Sequence, residues 1–194
     1  MAPKKPAYGY GIDFKKTDFR KRPDLYRIGR GEQGVLMVEP YKSEILPHWR
    51  FRTPEIAAIS SDAIYILFRR YKSEKDFVGM DMARKFLQMG YTRARRYANH
   101  ASGRKYESNP QKELTPEDER AARTNVLPQE CDWATNEKAL AARVFYKKYC
   151  LVKNDPTYRL LRKKHELFEE SVKHAAIAEG SAGKKVAKRK TAGS

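Results

Sequence analysis

Residues 77–101 read FVGMDMARKFLQMGYTRARRYANHA, and their spacing decides what kind of fold the chain can have. Met80, Ala83, Leu87, Gly90, Ala94, Tyr97 and Ala101 recur at alternating intervals of three and four. At about 100° per residue these positions share one face of a helix, with Phe86, Tyr91 and Ala98 beside them. The period survives Gly90, which predicts one continuous helix rather than two. The small residues on that face leave room for a second helix to approach closely.

Opposite the apolar face lie Arg84, Lys85, Gln88, Thr92, Arg95, Arg96 and Asn99. An ordinary solvated face mixes Glu with Lys, because opposite charges four residues apart attract and like charges repel. Here no acid follows Asp81 for more than twenty residues. Arginine is accompanied instead by Gln, Asn and Thr, the side chains that reach phosphates and base edges. The expectation is a stripe facing a polyanion: Arg84, Lys85, Arg93, Arg95 and Arg96 neutralise phosphates, and Gln88 and Asn99 contact bases or sugars. The competing reading is intramolecular. Arg95 and Arg96 would complement the negative end of the helix dipole, or pair with acids at 117–119 or 166–170.

Working outward, helix starts are marked by hydroxyl or carboxamide caps followed by proline or an acid. Thr53-Pro54-Glu55 predicts a helix to about Lys72, with Ile56, Ile59, Ala63, Ile66 and Leu67 on its apolar face. Another starts after Asp76. Thr115-Pro116-Glu117-Asp118 opens a short one after a polar loop at 101–114. Asn136-Glu137 opens a helix to about Leu151, and Asp155-Pro156 one to about Ala178, closed by Gly180. Before residue 45 the pattern changes. Tyr8, Tyr10, Ile12 and Phe14 alternate with Gly or Asp, and Val35-Leu36-Met37-Val38 is a short apolar run between Gly34 and Pro40. Both predict strand. The fold class expected is therefore α+β and mostly α-helical: a small N-terminal β element on a bundle of about five helices. Residues 8–178 form one domain, with disordered ends at 1–7 and 181–194, the latter a basic C-terminal tail.

The 194 residues carry a net charge of +17, gathered into stretches. Residues 1–30 have nine Lys or Arg against three Asp; residues 84–105 have seven and no acid; residues 181–194 have five and no acid. The remainder is close to neutral. Such clustering suits a polyanion, nucleic acid first, through release of its counterions. KKVAKRK at 184–190 is of the kind read as a nuclear address or nucleic-acid arm. No apolar run approaches a membrane span and the N-terminus lacks a secretory segment, so a cytoplasmic location is expected, or a nuclear one in a eukaryote. Two isolated cysteines, Cys131 and Cys150, fit a reducing compartment.

Motifs for catalysis are scarce. Gly29-Arg30-Gly31-Glu32-Gln33-Gly34 is literally G-x-G-x-x-G, but an apolar run follows it where a dinucleotide site opens a helix. It reads as a turn, with Arg30 as a candidate phosphate contact. Glu39 and Lys42 miss the spacing of a metal-dependent nuclease motif by one residue, and the four histidines form no ligand pattern. His48 and Trp49 with Tyr41 are candidates for a base-stacking platform, or Trp49 anchors the core. No catalytic residue, metal or cofactor is assigned.

The blocks GRGEQGVLMVEPYKSEILPHWRF and DFVGMDMARKFLQMGYTRARRYANH make the chain resemble a family known as domain of unknown function 4385, over roughly residues 8–168. The resemblance implies a discrete cytoplasmic-type domain and brings no activity or site residue. The leading expectation is thus a non-catalytic nucleic-acid-binding protein using the basic helix at 77–101. The alternatives are an enzyme acting on a phosphorylated small molecule or nucleic acid through the loop 29–34, and an interaction module for an acidic protein partner.

Overall fold

A short helix, α1 (Tyr41–Ile45), precedes five others, each starting where the sequence supplies a cap. The Thr53 hydroxyl accepts from the Ile56 N–H at 3.3 Å to open α2 (Pro54–Ser73). The Asp76 carboxylate accepts from the Gly79 N–H at 3.0 Å to open α3 (Phe77–Asn99). Thr115 caps α4 (Pro116–Thr124) and Asn136 caps α5 (Glu137–Lys153). Asp155 caps α6 (Pro156–Thr191) through the Tyr158 N–H at 3.1 Å. These caps satisfy amides that the first turn leaves unpaired. The computed structural model describes the backbone of residues 11–191, with the side chains of Gln111, Lys173 and 175–191 excepted.

The central element is α3, which packs chiefly on α5 and α2. Met80, Ala83, Leu87, Ala94 and Ala98 are fully buried, as the three-four spacing requires. At Gly90 α5 comes close: a Cβ there would fall well inside contact distance of the Phe145 ring. Only glycine permits that crossing, and the small-residue expectation for this face holds.

Three expectations fail. Among the described residues there is no strand and no sheet, so the predicted N-terminal β element is replaced by turns and short 3-10 segments. Tyr8 and Tyr10 lie outside the described residues. In the run Val35–Val38, Val35 N–H bonds to Glu32 O and Met37 N–H to Gly34 O, both turn patterns. Val35 and Val38 are buried while Leu36 and Met37 are exposed, a spacing of three rather than two. Four apolar residues do not distinguish strand from turn, and a strand without a neighbour has nothing to pair with. The second failure is the face of α2. The buried stripe is Ala57, Ser60, Ile64, Phe68 and Tyr71, whereas Ile59 and Ile66 are 73% and 65% exposed. At its C-terminal end the last helix also continues past the stop expected at Gly180 to Thr191. Gly180 and Gly183 each cost only about 1 kcal/mol in a helix.

The N-terminal segment is fixed by polar contacts as well as by Phe19 and Tyr26, both buried. Arg20 grips Glu44 with two hydrogen bonds of 2.8 and 3.0 Å, and Arg70 and Tyr71 share the same carboxylate at 2.6 Å each. Glu44 is thereby a structural anchor between the N-terminal segment and α2.

Candidate functional site

The first half of α3 is buried all round: every residue from Phe77 to Leu87 is inside, including Asp81, Arg84 and Lys85. Any charge such a helix carries needs partners there. Asp81, wholly buried, supplies them. Its Oδ1 accepts from Arg84 Nε at 2.8 Å and from the Tyr158 hydroxyl at 2.6 Å. Its Oδ2 accepts from the Tyr26 hydroxyl and lies 3.6 Å from Lys85 Nζ. Burial alone would raise the Asp81 carboxyl, but the charges of Arg84 and Lys85 outweigh it and hold the group well below the usual carboxylate range. Burial dominates at Lys85 and draws its ammonium down to about 8, against the opposing pull of Asp81.

The glycine turn roofs this cluster. Gly31 and Gly34 adopt left-handed φ values of +60° and +84°, which glycine tolerates without strain. Lys85 Nζ donates to the Gln33 carbonyl at 2.8 Å, and the Thr92 hydroxyl donates to the Glu32 carboxylate. The turn and the start of α6 therefore cover the polar side of α3 as far as Thr92. Where they meet is a pocket of about 440 Å³ bordered by Gly31, Arg84, Gln88, Lys153, Arg159 and Arg162, with Tyr149 and Tyr158 completing its wall.

Beyond Thr92 the basic face of α3 is open. It lines a cleft of about 1080 Å³ whose other wall is the loop 103–129 with Arg123 of α4. Five cations border it: Arg93, Arg95, Arg96, Lys105 and Arg123. Among the described residues no carboxylate does. Tyr91, Tyr97 and Tyr106 are interleaved with them. Arg95 donates to the Trp133 carbonyl at 3.2 Å and to Asn99 Oδ1 at 2.8 Å, and its guanidinium lies 5.2 Å from the Trp133 ring centroid. Arg96 donates to the Gly103 carbonyl at 2.6 Å. Carbonyls occupy some of the five N–H donors on each guanidinium but cancel none of its charge.

A family model described as "Domain of unknown function (DUF4385)" matches residues 9–167. The chain belongs to this family. Comparison with the curated proteins and with the solved structures returned no match.

Within this DUF4385 domain the residues singled out from the sequence fall into two groups. Arg93, Arg95, Arg96 and Asn99 meet in the open cleft. Arg84 and Lys85 do not: they are buried beside Asp81, and Gln88 is half-buried, accepting from Arg84 Nη1 at 2.8 Å. Arg30 is exposed, and Gly31 rather than Arg30 borders the small pocket. The expected stacking platform does not assemble, because Tyr41 is fully buried against Tyr71 while His48 is exposed and Trp49 packs on Phe51. Lys42 pairs with Glu39 at 2.6 Å. Several of the acids proposed as partners for Arg95 and Arg96 serve other groups: Glu117 pairs with Arg120, Glu119 with Arg123 and Glu166 with Arg162, and Glu169 accepts from the Ile28 N–H. Among the described residues no three His, Cys, Asp or Glu side chains converge as metal ligands would, and no helix is long and apolar enough to cross a membrane.

The sequence reading missed Lys105, Arg123 and Tyr106, which reach the cleft from another part of the chain. It also missed the buried cluster, though a signal was present. Asp81 precedes Arg84 and Lys85 by three and four residues, the spacing of helical ion pairs, in a turn where Val78, Met82 and Phe86 fall outside the expected apolar stripe or at its edge.

Proposed function

We propose that this domain binds nucleic acid in the cleft along the C-terminal half of α3. The observation that carries the reading is the composition of the cleft wall, five cations and three tyrosines with no carboxylate. Arginine and lysine neutralise backbone phosphates, and exposed aromatic rings stack on unpaired bases at about 1–3 kcal/mol each. The mixture favours single-stranded nucleic acid over a duplex, whose bases are already stacked. Arg93, Arg96 and Lys105 are the phosphate contacts, since among the described residues none of them is paired with a carboxylate. Asn99 is the polar contact to a base or sugar, and Tyr97, 42% exposed, is the foremost stacking ring.

The test is fluorescence polarisation of the full chain with labelled single-stranded DNA, RNA and duplex DNA, from about 50 to 200 mM salt. The expected result is binding with a steep salt slope, tighter for single strands. Changing Arg93, Arg96 and Lys105 together to Gln reduces that slope by roughly two, at about 0.7 per phosphate contact on a single strand. Unchanged affinity and slope in the triple variant would remove the cleft as the site.

A further inference from the structure

The small pocket beneath the glycine turn has a chemistry of its own. Arg84 and Gln88 of α3, Lys153 at the end of α5, and Arg159 and Arg162 of α6 converge on it. Among the described residues no carboxylate borders it. Two carboxylates that pair with its residues are already committed: Asp81 to Arg84, Lys85 and two tyrosines, and Glu166 to Arg162 at 2.8 Å. Arg84 and Lys85 are both inside the protein and share the single negative charge of Asp81, with Arg162 Nη1 only 3.9 Å from the same carboxylate. The neighbourhood therefore holds a surplus of positive charge in a partly desolvated hollow, where an uncompensated charge is costly.

The arginines are also held in place. Arg84 is fixed at Nε by Asp81 and at Nη1 by Gln88, and Arg162 at Nε by Glu166 and at Nη1 by the Tyr158 hydroxyl at 3.2 Å. Guanidinium groups positioned in this way suit planar, two-pronged contacts to an oxyanion. Arg159 and Lys153 have no carboxylate partner among the described residues, and Lys153 Nζ stands 5.7 Å from the Tyr149 ring centroid.

We propose that this pocket binds a phosphate monoester, with the phosphoryl group held by Arg84, Arg159 and Arg162 and the remainder of the ligand against Tyr149. Four converging cations match the charge of about −1.5 to −2 on a terminal phosphoryl group at pH 7 better than the single charge of an internal diester. A volume of about 440 Å³ lies within the roughly 300–1,000 Å³ of small-molecule sites. The inference does not rest on nucleic-acid binding at the open cleft, whose wall shares no residue with this pocket.

The experiment is calorimetric titration of the full chain with inorganic phosphate, a nucleoside 5′-monophosphate and the matching nucleoside. Saturable binding of the two phosphates, with none of the nucleoside, is expected. Arg159→Gln and Arg162→Gln should each weaken the monophosphate about tenfold or more, the loss of a charge-assisted hydrogen bond. Arg93→Gln, in the other cleft, should leave it unchanged. Thermal melts show whether each variant remains folded; Arg159 is exposed, so its substitution should leave the fold intact. A 5′-phosphorylated oligonucleotide compared with its 5′-hydroxyl form identifies the source. A preference abolished by Arg159→Gln assigns a strand end, and no preference beside retained monophosphate binding assigns a small metabolite. Absence of saturable binding up to about 10 mM phosphate and monophosphate, about ten times the Kd of a weak 1 mM complex, overturns the proposal. So does wild-type affinity for the monophosphate in both arginine variants.

Discussion

Replacing Asp81 by Asn keeps the shape of the side chain and removes the charge on which two buried cations and two tyrosines converge. The consequences differ by partner. Lys85, already drawn down to about 8, can lose its proton, which caps its share of the cost. Arg84 has no such escape, because a guanidinium stays charged in proteins. The substituted carboxamide retains one acceptor oxygen where the carboxylate had two, so Tyr26 or Tyr158 is left donating to nothing. Breaking a buried ion pair by removing one member costs about 3–5 kcal/mol. At about 2–4 °C per kcal/mol for a domain of this size, the melting temperature should fall by roughly 6–20 °C. Urea unfolding and calorimetry of the single variant measure the loss. Adding Lys85→Met to Asp81→Asn should recover about 1 kcal/mol or more, since the second change removes one of the stranded cations. An Asp81→Asn protein within about 1 kcal/mol of wild type would refute the reasoning, because the cluster would then be contributing no more than a surface pair.

Other consequences are open to measurement. Gly90→Ala should destabilise by about 1–3 kcal/mol in urea despite its better helix propensity, because the new methyl meets the Phe145 ring where α3 and α5 cross. Stability should rise with pH above about 8, since the unfolded Lys85, ordinarily at 10.5, holds a proton that the folded one has released. The gain is on the order of 1–2 kcal/mol between pH 8 and 9.5. The trend should reverse above pH 10, where burial keeps Tyr41, Tyr71 and Tyr158 protonated in the fold while their unfolded counterparts ionise. Urea midpoints of wild type and Lys85→Met across that range test it, and only the wild type should show the rising limb. At the acid end the sign is again that of the Lys85 limb, stability rising with pH: Asp81 is held low, so its contribution is complete above the ordinary carboxylate pKa and is lost as pH falls below it.

Much of the helical framework was legible in the chain because its causes are local. Thr53, Asp76, Thr115, Asn136 and Asp155 cap helices through their own side chains, and each start is set within a few residues. The three-four spacing from Met80 to Ala98 marks a buried face whatever packs on it, and Gly90 marks a close crossing without saying which helix crosses. Where the local signal was short or ambiguous, the reading went astray. Val35–Val38 became turns because no second strand was there to pair with it. On α2 two stripes, one through Ile59 and Ile66 and one through Ile64 and Phe68, were both apolar enough to bury. The position of α3 and α5 chose between them.

The basic character of α3 was determined by sequence alone, because charge is a property of composition. Which of those charges meet solvent was decided only by tertiary structure. The turn at 29–34 and the start of α6 cover Arg84 and Lys85 and turn them toward Asp81, whereas Arg93, Arg95 and Arg96 border the open cleft. Lys105, Tyr106 and Arg123 join that open face from a loop and a helix that no periodicity ties to it. A helical repeat fixes which residues share a face; only the packing of distant segments fixes whether that face is a core, a pocket or a surface.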